Sequence, residues 1–106
     1  MKIIKNSWFP FGNYIAINIF GIIFTKKDLS DRTINHENIH TAQMKEMLYI
    51  FFYLWYVIEW LIKLIKYNGD NSTAYYMISF EQEAYENESN LKYLDNRKKF
   101  TWIKFL

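Results

Sequence analysis

Both histidines of the chain lie in one short stretch, Asn35 to His40, which reads NHENIH. His36 and His40 are four residues apart, so on a helix their imidazoles stand on the same face and can converge on one cation. Glu37 lies about 100° round the helix from His36, within reach of a water held by that cation. Zinc lowers the pKa of such a water toward roughly 7, and a neighbouring carboxylate can take its proton as the water attacks a carbonyl. The stretch therefore predicts hydrolytic metal chemistry, with Glu37 as the catalytic base.

A third ligand must come from elsewhere in the chain. There is no cysteine, so the remaining protein ligand has to be a carboxylate. The candidates lie in FEQEAYENE, from Phe80 to Glu88, on a second predicted helix. Glu81 and Glu83 are both placed to face back across a pair of helices, and the residues alone leave the choice open.

HENIH followed by a helix with the pattern E-x-x-A resembles the gluzincin group of zinc metallopeptidases, in particular its very small single-domain members. The resemblance implies a peptidase that cleaves peptide or protein substrates with a Zn²⁺ ion held by His36, His40 and Glu81. It also implies that Ala84 is the small residue of the E-x-x-A-D pattern. The resemblance covers most of residues 14–96, and the elements follow in the order of strands, HExxH helix and glutamate helix.

One position departs from the family pattern. Tyr85 stands where gluzincins usually have Asp, so the hydrogen bond to a ligand histidine needs another partner. Glu88 and Asn18 are the candidates for that partner. Glu83, read with Asn87 as E-x-x-x-N, is the alternative ligand.

Two further features of the family concern the substrate. Gluzincins pair extended substrate with a strand beside the cleft, and Ile22 to Thr25 is the predicted edge strand for that role. A tyrosine hydroxyl can stabilise an oxyanion. Tyr75, Tyr76 and Tyr85 are available, and the sequence does not select among them.

The elements that position these residues can be read from local patterns. Lys2 to Lys5 is a candidate strand, and Tyr14 to Thr25, rich in Ile and Phe and interrupted by Gly21, predicts two short strands or one bent strand. The polar run Lys26 to Thr33 follows, with Asp31 and Thr33 as candidate N-caps of the first helix.

A long helix should then run from Asn35 to Lys66, where an Asn-Gly pair can form a left-handed C-cap. Unbroken, it would be about 45–50 Å long at 1.5 Å per residue, so we expect a kink or a protruding end. One stripe of this helix is predicted to face the core. It comprises His36, His40, Gln43, Met47, Ile50 or Phe51, Leu54, Ile58, Leu61 and Ile65.

The last helix is predicted to begin at SFEQ, Ser79 to Gln82, which matches a capping box, and to continue through about Asn96. These elements together predict an α+β fold: a minimal zincin-like domain with short N-terminal strands or a hairpin, a long HExxH helix and a second helix that carries the third ligand. With 106 residues the chain should form a single domain, residues 1–106.

The face opposite that stripe is aromatic, with Tyr49, Phe52, Tyr53, Tyr56 and Trp60. A soluble monomer would normally carry charges there. This aromatic face could be covered by other parts of this chain, by a second copy in a homodimer, or by a lipid interface. The segment from Met47 to Ile58 is 12 residues long without a charge, shorter than the roughly 18–20 apolar residues that a spanning helix requires.

Charge composition limits the partners. The formal net charge is +2, from 13 basic and 11 acidic residues, which is too even for nucleic acid to be the main partner. The basic and aromatic end from Lys92 to Leu106 could rest on an anionic membrane surface. No signal peptide is evident, so we expect a cytoplasmic or peripherally membrane-associated protein. The alternative function is a non-catalytic zincin fold that binds a partner or a membrane.

Overall fold

The computed structural model describes residues 2–6 and 16–106. Its fold is α+β, as predicted, with a three-stranded sheet at the N-terminus followed by helices. The elements are β1 (Lys2–Lys5), β2 (Ala16–Ile19), β3 (Ile22–Thr25), α1 (Asp31–Glu46), α2 (Ile50–Lys66), α3 (Asn71–Tyr76), α4 (Ser79–Asn87), α5 (Tyr93–Asn96) and a final 3₁₀ helix (Thr101–Phe105). The predicted strand at Lys2–Lys5 and the two strands on either side of Gly21 are confirmed. Tyr14 and Ile15 of the predicted strand segment lie outside the described residues.

The sheet places β3 between its two partners. β1 pairs with β3 in parallel, and β2 pairs with β3 antiparallel across a two-residue turn. Both turn residues, Phe20 and Gly21, have positive φ (51° and 87°), the conformation of a type I′ hairpin turn. The prediction of Ile22–Thr25 as an edge strand is therefore wrong, because both of its edges are paired. Among the described strands, β2 is the edge strand next to the helices.

Asn18 of β2 ties the hairpin to α1. Its Nδ2 donates to the backbone oxygen of Glu37 and to Oγ1 of Thr41, both at 3.1 Å. Its Oδ1 accepts from the backbone N–H of Gly21 at 3.0 Å. A Cβ at Gly21 would lie 3.4 Å from the Thr41 side chain, so the turn also packs closely on the helix. The edge strand is thus held beside the middle of α1.

The N-cap of the first helix lies one residue before Asp31 and three before Thr33, the two predicted caps. Ser30 is the N-cap, and its hydroxyl accepts from the backbone N–H of Thr33 at 3.2 Å. Asp31 is the first residue inside α1, where its negative charge favours the positive end of the helix dipole. The choice of Asp31 or Thr33 as the cap was therefore wrong by one to three residues.

The predicted long helix is broken, as expected for its length. α1 ends at Glu46, and Leu48 and Tyr49 adopt left-handed φ values of 53° and 58°. Such a backbone is unfavourable for these side chains, and it turns the chain so that α1 and α2 are bent by 110°. α2 ends as predicted at the Asn-Gly pair, where the N–H of Gly69 donates to the oxygen of Leu64 at 2.8 Å.

The bend reverses the predicted faces of α2. Phe52 is buried in the core with Met44, Ile78, Phe80 and Trp102. The other aromatic residues of its face pack against this core: Tyr49, Tyr53, Tyr56 and Trp60. The stripe predicted to face inward is exposed beyond the bend: Ile50, Leu54, Ile58, Leu61 and Ile65. The predicted stripe assumes one continuous helix from α1 into α2. The 110° bend between them changes which side of α2 meets the core.

The start of α4 also differs from the predicted capping box. Ile78 is the N-cap and Ser79 lies inside the helix, where its N–H and hydroxyl donate to the Glu59 carboxylate at 2.7 and 2.5 Å. Glu59 of α2 thus caps α4 from a different helix. α4 ends at Asn87, and a turn separates it from α5. The prediction of one continuous last helix through about Asn96 is therefore wrong.

Within the described residues, no single helix is long and apolar enough to cross a membrane. The bent pair α1 and α2 passes that test of length and composition when the two are taken together.

Candidate metal centre

Three side chains from two helices meet at one point. Nε2 of His36 and Nε2 of His40, both on α1, lie 3.1 Å apart. Oε1 of Glu81, on α4, lies 3.3 Å from the first nitrogen and 3.1 Å from the second. All three residues are buried, and together they form a group that could hold a metal ion.

The other nitrogen of each imidazole is bound to an oxygen. Nδ1 of His36 lies 2.9 Å from a carboxylate oxygen of Glu88, and Nδ1 of His40 lies 2.8 Å from Oε1 of Gln43. Both oxygens are acceptors, so each Nδ1 carries the hydrogen. In neutral imidazoles the two Nε2 atoms then have lone pairs, and both point at the Glu81 carboxylate. Three electron-pair donors face one another with no hydrogen between them, an arrangement that a cation satisfies.

The orientation of the Gln43 amide follows from its other contacts. Its Nε2 donates to the backbone oxygen of Phe80 at 3.0 Å and to Oε1 of Glu83 at 2.9 Å. Both partners accept only, so the amide oxygen must be the atom that faces His40. Gln43 therefore sets the tautomer of His40 and joins it to α4.

Without a cation, protons stabilise the same cluster. Burial alone would lower the pKa of His40, but the charge and hydrogen bond of Glu81 outweigh it and raise that pKa to about 9. Burial would raise the pKa of Glu81, but His40 and hydrogen bonds from His36, His40 and Tyr56 hold it well below its usual range. Glu81 is therefore ionised, as a ligand must be.

The second oxygen of Glu81 has a partner of its own. The hydroxyl of Tyr56, on α2, donates to Oε2 at 2.7 Å. Burial and the Glu81 charge raise the pKa of Tyr56 far above its usual value, so this hydroxyl stays protonated. One Glu81 oxygen is thus committed to Tyr56, and the other is directed at the histidines.

Glu83 does not face this centre. Its carboxylate binds Nε of Arg97 at 2.5 Å, the Tyr93 hydroxyl at 2.6 Å and the Gln43 amide at 2.9 Å. Arg97 also contacts Glu46 at the end of α1, at 2.7 Å. The two glutamates that the sequence left open thus belong to separate clusters, and only Glu81 lies beside the histidines.

A cleft of about 340 Å³ opens beside the centre. Its polar lining includes His40, Glu81 and the half-buried Glu37. The remainder is mostly apolar or aromatic: Ile17, Met44, Phe52, Tyr53, Tyr56 and Tyr75, with Asn18. A substrate in this cleft would meet the predicted base and two of the three candidate ligands.

The three candidate tyrosines and the two candidate partners of a ligand histidine occupy different places around the centre. Tyr75 lines the cleft, whereas Tyr85 packs edge-on against the His36 ring with centroids 4.6 Å apart. Tyr76 packs on Tyr85 and does not line the cleft. Glu88 binds His36, so the hydrogen bond missing at position 85 is made by a residue one helical turn later. Asn18, the other candidate, contacts α1 at a backbone oxygen and a threonine rather than at a histidine.

Two residues of the centre were missed as site residues. Gln43 lies three residues after His40 on the same face, so helical spacing could have identified it as a partner. Tyr56 was assigned to a face directed away from the core, and only the bend between α1 and α2 brings its hydroxyl to Glu81.

Comparisons with protein-family models, curated proteins and solved structures found no significant similarity to this chain.

Proposed function

We propose that this protein is a zinc-dependent peptidase of the gluzincin type. The observation that carries the proposal is the convergence of three lone pairs, on His36, His40 and Glu81, at 3.1–3.3 Å from one another. The hydrogens of both imidazoles are bound elsewhere, so the donors can serve a cation without rearrangement of their partners.

The spacing of the donors suits zinc. Bonds of about 2.0–2.1 Å in a tetrahedral site place neighbouring ligand atoms about 3.3–3.4 Å apart, close to the separations here. Two imidazoles and one carboxylate are a known donor set of catalytic zinc sites, which keep the fourth position for water or substrate. The Nδ1 partners Glu88 and Gln43 supply the outer hydrogen bonds that orient such ligands.

Glu37 is the residue proposed to move the proton. Zinc, when bound, acidifies water and polarises a carbonyl. The Glu37 carboxylate, which lines the cleft beside His40 and Glu81, accepts a proton from the attacking water. It then delivers that proton to the amide nitrogen as the peptide bond breaks.

The substrate is proposed to lie along β2, which replaces β3 as the candidate strand. β2 is one of the two edge strands of the described sheet, and its Ile17 and Asn18 line the cleft, so an extended peptide can add to it by backbone hydrogen bonds. Tyr75 is the proposed oxyanion donor. Burial and the negative charge of Glu81 raise its pKa, so its hydroxyl keeps the proton that it donates.

Glu37→Gln tests the peptidase directly. We expect cleavage of a diverse fluorogenic peptide library to fall by about 10²–10⁴-fold, the usual contribution of a general base, while zinc content stays at one ion per chain. The matched control is Glu86→Gln, an exposed glutamate on α4, which should leave both quantities unchanged. Cleavage that survives in Glu37→Gln would refute the role of Glu37.

The alternative function is a non-catalytic metal site that stabilises a binding protein. The departure at Tyr85 from the gluzincin pattern favours it, since that ring packs on His36. Under this alternative the wild-type chain binds zinc, cleaves no peptide of the library, and is indistinguishable from Glu37→Gln in every measurement.

A further inference from the structure

The outer side of α2 is apolar over its whole length. The side chains of Ile50 and Ile65, at its two ends, are 71% and 82% exposed. The exposed apolar residues between and beside them are Leu48, Phe51, Leu54, Trp55, Val57, Ile58, Leu61 and Ile62. We call this set the outer face of α2. An apolar surface of this extent on a small domain marks an interaction site.

The C-terminal segment extends this surface. Phe100 lines a shallow groove with Leu48, Phe51, Leu54 and Ile58 and is itself exposed. The chain around it carries exposed Lys98 and Lys99. The aromatic ring and its two lysines therefore adjoin the outer face.

The exposed charges of the segment from Lys45 to Lys66 have one sign. Two acids occur between residues 45 and 66, Glu46 and Glu59, and their side chains are only 3% and 7% exposed. Glu46 is bound to Arg97, and Glu59 to Ser79. The exposed charges of the same segment are Lys45 and Lys66. The acids are therefore turned inward, and the lysines remain at the surface.

We propose that the outer face of α2, together with Phe100, docks on the surface of an anionic lipid bilayer. The apolar side chains enter the boundary between headgroups and acyl chains, and the lysines contact the lipid phosphates. A second copy of the chain would fit this face less well, because a symmetric contact would set its lysines against those of its partner. The opposite face of α2 lines the cleft, so docking leaves the metal centre inside the protein.

Sedimentation with vesicles tests this inference without reference to peptidase activity. The full chain is mixed with vesicles of phosphatidylcholine alone, or of phosphatidylcholine with phosphatidylglycerol. We expect it to sediment with the vesicles that contain phosphatidylglycerol, and to be released by high salt only in part, since salt screens the lysines but not the apolar contact.

Two groups of variants separate the apolar and charged contributions. Ile58→Glu with Ile62→Glu should lower the partition coefficient by about tenfold or more per substitution, as expected for loss of one buried apolar side chain. Lys98→Glu with Lys99→Glu should weaken binding to anionic vesicles alone. The control, Leu91→Glu, changes an exposed apolar residue outside the outer face and should bind like the wild type.

Three outcomes would overturn the inference. The chain could remain a monomer in the supernatant, which would mean that the outer face does not bind lipid. It could form a dimer that Ile58→Glu with Ile62→Glu dissociates, which would make the occupant a second copy. Equal binding to neutral and anionic vesicles would refute the role of the lysines. Zinc content and peptide cleavage are measured in parallel on the same proteins. Neither quantity depends on which of these outcomes is found, so failure of the docking proposal is distinguishable from failure of the proposed function.

Discussion

Glu81 and Glu83 lie two residues apart on α4, and both are buried, yet their carboxylates have opposite kinds of partner. Glu83 receives hydrogens from Arg97, Tyr93 and Gln43. Glu81 receives one from Tyr56, while its other oxygen faces the Nε2 atoms of His36 and His40, which carry lone pairs when the imidazoles are neutral. The first cluster is complete within the protein, whereas the second could hold a metal ion.

The difference follows from what a buried charge requires. An ionised carboxylate in the interior must be paired or bound by donors, because its desolvation is costly. Arg97 supplies the opposite charge for both Glu83 and Glu46, and so joins α4 to the end of α1. The side chain of opposite charge beside Glu81 is instead His40, whose pKa Glu81 raises to about 9. We infer that the Glu83 cluster stabilises the fold, and the Glu81 cluster is the candidate metal site.

Exchanging each glutamate for glutamine should separate these two roles. We expect Glu81→Gln to lower zinc affinity by more than about 100-fold, the upper range for loss of a residue that merely orients a ligand. Glu83→Gln should keep zinc affinity within about tenfold of the wild type, because it leaves all three ligands in place. Competition with a chromophoric chelator measures both constants. Equal losses in the two variants would refute the division.

Arg97→Ala tests the complete cluster. It leaves Glu83 and Glu46 buried without their cation, so we expect it to lower the free energy of unfolding by about 3–5 kcal/mol, as for other broken buried pairs. Urea unfolding of the metal-free protein gives the value. Lys5→Ala is the control, since its exposed pair with Asp28 should contribute about 1 kcal/mol or less. A loss for Arg97→Ala as small as that control would mean that the pair contributes little to the fold.

Glu88→Ala tests whether the outer hydrogen bond to His36 orients a ligand. Without it the imidazole can rotate or change tautomer, and we expect zinc affinity to fall by about 10–100-fold. Glu88→Gln should restore part of the loss, because the amide oxygen still accepts from Nδ1. Arg32→Ala, which removes only the exposed partner of Glu88, is the control. If Glu88→Ala bound zinc like the wild type, His36 would be oriented by other contacts.

Local patterns in the sequence account for much of this fold and for part of the site. Four-residue spacing placed His36 and His40 on one helix face, because that depends on helical geometry alone. Gly21 marked the hairpin turn, and the Asn-Gly pair marked the end of α2, since both positions require left-handed backbone. These features are decided within a few residues of chain.

Long-range contacts decide the remainder. Which glutamate of α4 faces the histidines depends on Glu59, which caps α4 at Ser79, and on Arg97, and these residues lie far from α4 in sequence. The break at Leu48 and Tyr49 carries no Gly or Pro, so no local signal predicted it. That break reversed the inner and outer faces of α2, and with them the position of Tyr56.

Asp70 offers an exposed carboxylate for comparison with the two buried ones, and the smallest expected effect. It is the N-cap of α3 and accepts from the backbone N–H and the hydroxyl of Thr73 at 3.2 and 2.7 Å. These hydrogen bonds lower the pKa of Asp70. Because the folded pKa is below the unfolded value of about 3.9, the carboxylate's contribution to stability is complete above that value and is lost as the pH falls through the folded pKa.

The melting temperature of Asp70→Asn should therefore lie slightly below that of the wild type at neutral pH, and the difference should disappear in acid. Ser30→Ala is the matched control, since it removes the N-cap of α1 but no titrating group, and its deficit should not disappear in the same way. An offset for Asp70→Asn that stayed constant with pH would show that the charge contributes nothing. Solvent surrounds this carboxylate, so hydrogen-bond donors suffice for it, whereas the buried Glu83 is paired with a guanidinium and the buried Glu81 lies between two imidazoles.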